Sequence, residues 1–307
     1  MKALVVRYSA IGDCVMAAHA VSALRRRHPD WHIAWAVDAD VAPVIETEWL
    51  VNQRIDVPRR EWKRRKASAF EQIRYYLNLR QHQFDYGFDL QGHSKTGVCL
   101  RLSGAKKRWS IGYTDPFARL LNPSMPFDRS RHLVEQFHEF LENCVGVAKD
   151  LSPIMPQLPP PVLDSKRLIT IHTGAGAVWK QWPLERWVQV AAGLKERGFT
   201  VAFLGGPGDP SPADAEHNFV DQLSLVESMA MTAGSSYHLS GDTGSGHVAA
   251  AYGVPVVTLF GRTDPTKTGP YTEKKRFLRK GDATDQISVD EVLCAFDELE
   301  AMWPSGS

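Results

Sequence analysis

The sequence predicts an α/β fold with two parallel-sheet domains. Three observations lead there. Short apolar runs alternate with amphipathic helical stretches in both halves, the pattern of βαβ units. The alternation breaks once, at the proline-rich residues 153–161, because consecutive prolines continue neither a helix nor an interior strand. The 307 residues, 43% of them hydrophobic, suffice for two cores of ordinary size. The expected domains are residues 1–155 and 156–307.

In chain order, residues 3–6 form an apolar run read as a buried parallel strand; a Gly-containing loop and an amphipathic helix over 15–27 follow. A strand at 32–37, a helix through 67–82 and a strand at 86–90 continue the first half. The pattern restarts with a strand at 168–172, a helix at 184–197 and a strand at 200–204. A small-residue helix at 247–252 precedes a strand at 254–260. The last helix, 289–302, carries Val289, Val292, Leu293, Phe296 and Leu299 on one stripe, with Ser288 and Glu291 at capping-box spacing. In open parallel sheets ligands sit beyond the carboxyl ends of the strands, so two such domains are expected to share a cleft.

Net charge is +1, which speaks against a nucleic-acid protein coated in positive charge. The average hides an asymmetry: residues 1–150 hold 23 Lys and Arg against 17 Asp and Glu, and residues 151–307 hold 13 against 18. The basic first half suggests an anionic partner. Cys14, Cys99, Cys144 and Cys294 lie far apart without a C-x-x-C pair, as expected of reduced thiols in a cytosolic protein. No apolar run approaches the ~20 residues of a membrane span, and the N-terminus lacks a signal-peptide pattern.

Several segments have the composition of a site. Asp13, in Ser9-Ala10-Ile11-Gly12-Asp13, lies between the first strand and first helix; it reads either as a helix N-cap or as a general base. The segment from His172 through Thr173, Gly174 and Gly176 to Lys180 also joins a strand to a helix. Its small residues admit an anion and Lys180 could supply a charge; the alternative is an ordinary flexible loop. It has neither Walker A nor G-x-G-x-x-G spacing. Asp242-Thr243-Gly244-Ser245-Gly246-His247 feeds an Ala-rich helix and makes an anion nest. Its D-T-G-S letters do not make an aspartic protease, which needs two facing carboxylates in β-rich lobes. His247 alone reads as a structural histidine; its place in the nest gives it a second reading. Residues 59–66, Arg59-Arg60-Glu61-Trp62-Lys63-Arg64-Arg65-Lys66, hold six cations in eight positions. They are either a solvated face or a clamp for an acidic acceptor or anionic bilayer.

Together these segments resemble glycosyltransferase family 9, the ADP-heptose:lipopolysaccharide heptosyltransferases of the GT-B fold. The resemblance rests on Gly241-Asp242-Thr243-Gly244, His247-Val248-Ala249-Ala250-Ala251, Gly253-Val254-Pro255-Val256-Val257, and Leu259-Phe260-Gly261-Arg262-Thr263-Asp264-Pro265 through Thr268-Gly269-Pro270-Tyr271. Leu4-Val5-Val6-Arg7 with Ile11-Gly12-Asp13, Phe88-Asp89-Leu90-Gln91-Gly92 and Leu204-Gly205-Gly206-Pro207-Gly208-Asp209 extend it over nearly the whole chain.

The resemblance implies two Rossmann-like domains facing a central cleft, the first binding the acceptor and the second the nucleotide sugar. It implies an inverting transfer of heptose from ADP-heptose to the Kdo/heptose inner core of lipopolysaccharide, with no metal and no further cofactor. Asp13 becomes the general base. Thr173, Gly174, Lys180, Thr243 and Gly244 hold the diphosphate, Asp242 and His247 orient sugar hydroxyls or phosphate oxygens, and Glu216 is an acidic contact to the nucleoside. Arg59, Arg60 and Lys63 bind the acidic, lipid-linked acceptor. The expected location is cytoplasmic, peripheral at the inner membrane of a Gram-negative bacterium, with no nucleic-acid partner. Two departures stand out. The first helix reads His19-Ala20-Val21 where the family carries a Pro, and residues 210–218 leave little room for the helix and strand expected before the next motif. Rival readings are a same-fold transferase with another nucleotide sugar or a protein acceptor, a non-catalytic nucleotide-sugar-binding protein, and a nucleotide-sugar epimerase.

Overall fold

The computed structural model describes residues 1–112 and 116–305. The chain divides into two compact units, Met1–Pro156 and Gln157–Ser307. The first carries β1 (Lys2–Val6), β2 (His32–Asp38), β3 (Gln53–Val57), β4 (Tyr86–Asp89) and β5 (Lys107–Ser110). They form one parallel sheet in the order β3-β2-β1-β4-β5. Its helices are α1 (Ile11–Arg27), α2 (Arg59–Arg64), α3 (Ala69–Asn78), α4 (Ser94–Leu102), α5 (Pro116–Leu121) and α6 (Leu133–Val145). The second unit carries β6 (Leu168–His172), β7 (Thr200–Leu204), β8 (Tyr237–Gly241), β9 (Val256–Phe260) and β10 (Lys275–Arg279), parallel in the order β10-β9-β8-β6-β7. Its helices are α7 (Leu184–Glu196), α8 (Leu225–Ala233), α9 (Gly244–Ala251), α10 (Pro265–Thr268) and α11 (Val289–Met302).

The central strands are buried on both faces, which is why β1, β2 and β9 read as apolar runs rather than alternating ones; β8 is equally buried but carries His238 and Ser240 and was not expected from the sequence. Leu4, Val6, Ala34, Ala36 and Ile55 pack with Trp62, Tyr76 and Leu79 in the first unit. Ile169, Ile171, Leu239 and Leu259 pack with Trp182, Trp187 and Phe296 in the second.

Each sheet has one place where the strand order reverses direction: between β1 and β4 in the first unit, between β6 and β8 in the second. Loops on either side of such a point diverge and leave a crevice at the carboxyl ends of the strands. The residues after β1 and β4, and those after β6 and β8, are therefore the ones the topology offers for binding.

Three sequence expectations change. Helix α1 begins at Ile11, not near 15, so Gly12 and Asp13 belong to its first turn. The helix expected over 67–82 is α3 followed by a 3-10 turn, Leu79–His82, and it starts where Ser68 Oγ accepts the Glu71 amide (3.2 Å). The helix and strand expected to be crowded out after residue 209 are both present. They are α8 and β8, set after a loop that ends at Ser224, whose side chain and Glu227 form a capping box. The space they need is supplied by residues 225–241, beyond the polar stretch 210–218.

Candidate active site

In the first unit the crevice beside β1 is a cavity of about 200 Å³ lined by Arg7, Ser9, Asp13, Leu90, Gln91, His93, Ile111, Leu133 and Phe137. Asp13 is the carboxylate of that lining. It is not the N-cap: Ala10 holds that position in extended conformation, and Asp13, at the third helical residue, reaches back to accept the Ala10 amide (3.1 Å). The same oxygen, Oδ2, pairs with Arg7 Nη2 at 2.9 Å. Both contacts end on Oδ2, and the side chain keeps 36% of its surface exposed. The result is a carboxylate fixed at one oxygen and, among the described residues, open at the other.

Arg7 is held firmly enough to do this. Its side chain is buried, donates to the Leu90 carbonyl and lies over the Phe137 ring (5.3 Å to the centroid). Its carbonyl accepts from the fully buried Trp35 indole (3.1 Å). The opposite wall is set by Asp89, wholly buried at the end of β4. It accepts from the amides of Gln91 and Gly92 (3.0 Å each) and from the hydroxyls of Thr96 (3.1 Å) and Ser110 (2.9 Å). Burial outweighs these bonds and raises its pKa. Gln91 Oε1 in turn accepts the Tyr8 amide (2.8 Å), locking the β1 and β4 loops together.

The basic run divides. Arg59 Nη1 faces Asp38 (3.6 Å) and Ser9 Oγ (3.2 Å), and its guanidinium stacks over Tyr8, so it borders the Asp13 cavity through Ser9. Arg60 pairs with Asp40 at 2.7 Å, and Arg65 pairs with Glu61 and Glu71. A clamp of six free cations is therefore not what the fold provides. Lys63 is exposed, and no hydrogen bond or ion pair brings it to the cavity.

In the second unit the loops after β6 and β8 meet across the reversal point. Lys180 Nζ pairs with Asp242 Oδ2 at 2.6 Å, both side chains largely buried. Thr243 caps α9 without using its side chain, and Gly244 opens the helix, so the first-turn amides have no intrahelical partner. His247, one turn in, is buried. Behind them, His238 Nδ1 lies 2.9 Å from Thr170 Oγ1 and Nε2 lies 3.0 Å from Ser245 Oγ, tying α9 to the sheet. Burial, with a smaller push from His172, lowers the His238 pKa to about 3, so the ring is neutral.

Thr173 is buried, its hydroxyl donates to the Pro210 carbonyl (2.6 Å) and its amide to the Leu204 carbonyl (3.1 Å); it therefore braces the loop and has both donors already engaged. Gly174 is required for space: a Cβ there would fall 1.9 Å from Asp209 Cγ. Asp209 Oδ2 accepts the Gly206 amide at 2.7 Å and lies 3.6 Å from His172 Nε2, so Gly174 lets two glycine loops close on one carboxylate. Glu216 is not drawn to Lys180 and Asp242. It is exposed, 3.5 Å from Lys195 on α7 and 3.5 Å from His217. Among the described residues, no group of three or more His, Cys, Asp or Glu is arranged to hold a metal ion, and no helix is long and apolar enough to cross a membrane.

Sequence reasoning assigned no role to Arg7, Asp89, Gln91, His172, Asp209 or His238. An arginine ending an apolar strand run and a polar residue inside one, as in Tyr237-His238-Leu239, were the available signals. It also passed over Trp179, whose ring lies 5.2 Å from Lys180 Nζ and 5.7 Å from the Arg262 guanidinium.

Residues 73–295 match the model of glycosyltransferase family 9 (heptosyltransferase). Lipopolysaccharide heptosyltransferase 1 of Pseudomonas aeruginosa is 26% identical over 88% of this chain and 81% of its own. Escherichia coli heptosyltransferase WaaC, solved with ADP, superposes with a TM-score of 0.83 at 21% identity, covering 97% of this chain and all of that one. Its structure with ADP-2-deoxy-2-fluoro heptose gives 0.81 at 22% identity, over 97% and 99%. The fold is thus GT-B-like, with two parallel α/β domains.

Proposed function

The chain belongs to glycosyltransferase family 9, and on that premise we propose that this glycosyltransferase moves heptose from ADP-heptose onto the Kdo/heptose inner core of lipopolysaccharide. The observation that carries this is Asp13, a carboxylate fixed at one oxygen by Arg7 and Ala10 and open at the other in a cavity beside β1. An acceptor hydroxyl placed there gives its proton to Asp13 Oδ1 as the oxygen attacks the anomeric carbon. The new C–O bond forms as the bond to the diphosphate breaks, from opposite faces, so the configuration inverts. No metal takes part in this reading.

The second unit receives the departing ADP. Lys180 and the free amides opening α9 offset the charge that develops on the diphosphate, and they do so with groups already in place. Asp242 orients Lys180 through their 2.6 Å pair. Gly174, Thr243 and Gly244 form the phosphate cradle, Thr173 braces its loop through Leu204 and Pro210, and His247 supports it from inside α9. The first unit takes the acidic, membrane-bound acceptor, with Arg59 beside Ser9 at the cavity rim and Arg60 and Lys63 further out. The enzyme works at the cytoplasmic face of the inner membrane.

The test is ADP release from ADP-heptose with Kdo-bearing lipid A lacking heptose, and separately with an already heptosylated core. Release that depends on one of these and disappears in Asp13→Ala supports the reading and identifies the acceptor. Release that is independent of acceptor, or normal in Asp13→Ala, contradicts it.

A further inference from the structure

Helix α3 has two apolar sides. Tyr76 and Leu79 face the core, Tyr76 meeting Trp62 of α2 edge-on. Phe70, Ile73 and Leu77 point the other way and are 74%, 41% and 36% exposed. At 3.6 residues per turn these three lie within about 60° of arc, so they form one stripe, not scattered surface residues. Four cations lie on or just before this helix. Arg74 is one turn from Phe70, about 40° outside the arc on the Phe70 side. Lys63, Arg64 and Lys66 precede the helix by three to six residues, in a segment that the Arg65–Glu71 pair ties to its first turn. All four are exposed, and among the described residues none has an acidic partner.

We propose that this α3 face, with Arg64, Lys66 and Arg74 around Phe70, Ile73 and Leu77, docks the protein on an anionic bilayer surface. An amphipathic helix lying in the interface inserts its apolar side chains below the headgroups while flanking Lys and Arg meet lipid phosphates. The charges select this occupant over a second copy of the chain. A symmetric dimer would bring the patch against itself and set unpaired cations against unpaired cations. A surface of anionic lipid pairs them. The inference deepens the reading of a membrane-bound acceptor by naming the face that meets the membrane. Its test contains no sugar, so it can fail while the transferase reading stands, and the converse.

The full chain is sedimented with vesicles of phosphatidylglycerol and phosphatidylethanolamine, and with vesicles of phosphatidylcholine alone. The expected result is binding to the anionic vesicles, weakened by salt and about tenfold or more weaker to neutral ones. Phe70→Ser with Leu77→Ser should lower binding at least about tenfold, and Arg64→Glu with Arg74→Glu by a similar factor. Both variants should keep their melting temperatures and their turnover of a deacylated, water-soluble acceptor, because these side chains touch neither core nor cavity. Equal binding of wild type and variants overturns the proposal, as does indifference to lipid charge. So does a concentration-dependent dimer that Phe70→Ser abolishes, which would assign the face to a second copy.

Discussion

The two units share a five-stranded parallel sheet and put their polar residues at the same place, the point where strand order reverses, yet they build opposite sites there. Beside β1 the first unit presents a carboxylate paired with a buried arginine. Between β6 and β8 the second presents a lysine, tight glycine loops and the open end of a helix. The architecture supplies the crevice, and a few loop residues decide whether it takes a proton or holds an anion. In the proposed reaction these are the two needs of glycosyl transfer, divided between the units.

That division is broken most directly at Asp13. Asp13→Asn is expected to lower kcat about a thousandfold in an ADP-release assay while ADP binding by calorimetry stays unchanged, because base and phosphate site belong to different units. Loss of ADP affinity in this variant would show that the division is wrong.

The units should respond alike to acid, since each buries a neutral histidine. His238 has its pKa lowered to about 3 by burial, and His19, whose Nδ1 lies 2.7 Å from the Leu151 carbonyl, to about 4 for the same reason. The unfolded rings take a proton near pH 6.5 and the folded ones only far below, so unfolding binds protons in that window. Stability is full above about pH 6.5 and falls as pH drops toward the folded values, by about 1.4 kcal/mol per unit per histidine. Thermal melts from pH 7.5 to 4.5 should show this slope, reduced in His238→Asn, with His172 and His82, whose pKa values burial also lowers, adding to what remains. A flat profile contradicts it.

Lys180→Ala should raise the ADP dissociation constant about thirtyfold, since it removes the cation and exposes the diphosphate to Asp242. Adding Asp242→Asn should recover part of that loss. If the double variant binds no better than the single one, the Lys180–Asp242 pair does not act as a unit. Gly174→Ala, which forces Asp209 aside, should weaken ADP about tenfold with little effect on unit 1, read by the same titration. Arg60→Ala should change turnover less than about threefold, because its charge is already engaged by Asp40 in solvent.

The sequence carried the parts of this picture that are local. Apolar runs marked the buried central strands β1, β2, β4, β6 and β9 but not β8, whose run is broken by His238 and Ser240; the small residues from Gly241 to Gly246 marked the turn into α9. What escaped is long-range or at the edges. Three of the four edge strands, β3, β5 and β10, mix charged and apolar residues because they are only half-covered, so their runs do not look like strands; the fourth, β7, is largely buried and did. The start of α1 was misplaced because Gly12 and Asp13 read as loop residues, and only the Ala10–Asp13 contact shows them inside the helix. The basic run looked like one patch because its partners Asp38 and Asp40 lie about twenty residues away in sequence. For the same reason Arg7 was invisible as the partner of Asp13: it lies in the last turn of a strand exit, and its ring of contacts comes from Leu90, Trp35 and Phe137. His19, a departure in sequence, is in the structure a buried link from α1 to Leu151.

The measurement closest to the central claim is a paired one on wild type and Asp13→Asn. ADP release from ADP-heptose is followed with Kdo-bearing lipid A and with heptosylated core, beside calorimetric binding of ADP to each protein. The expected result is acceptor-dependent release in the wild type, its loss in the variant, and equal ADP affinity in both. Normal release by Asp13→Asn, or a wild type that binds neither ADP nor ADP-heptose, would contradict the assignment of base and leaving-group chemistry to separate units.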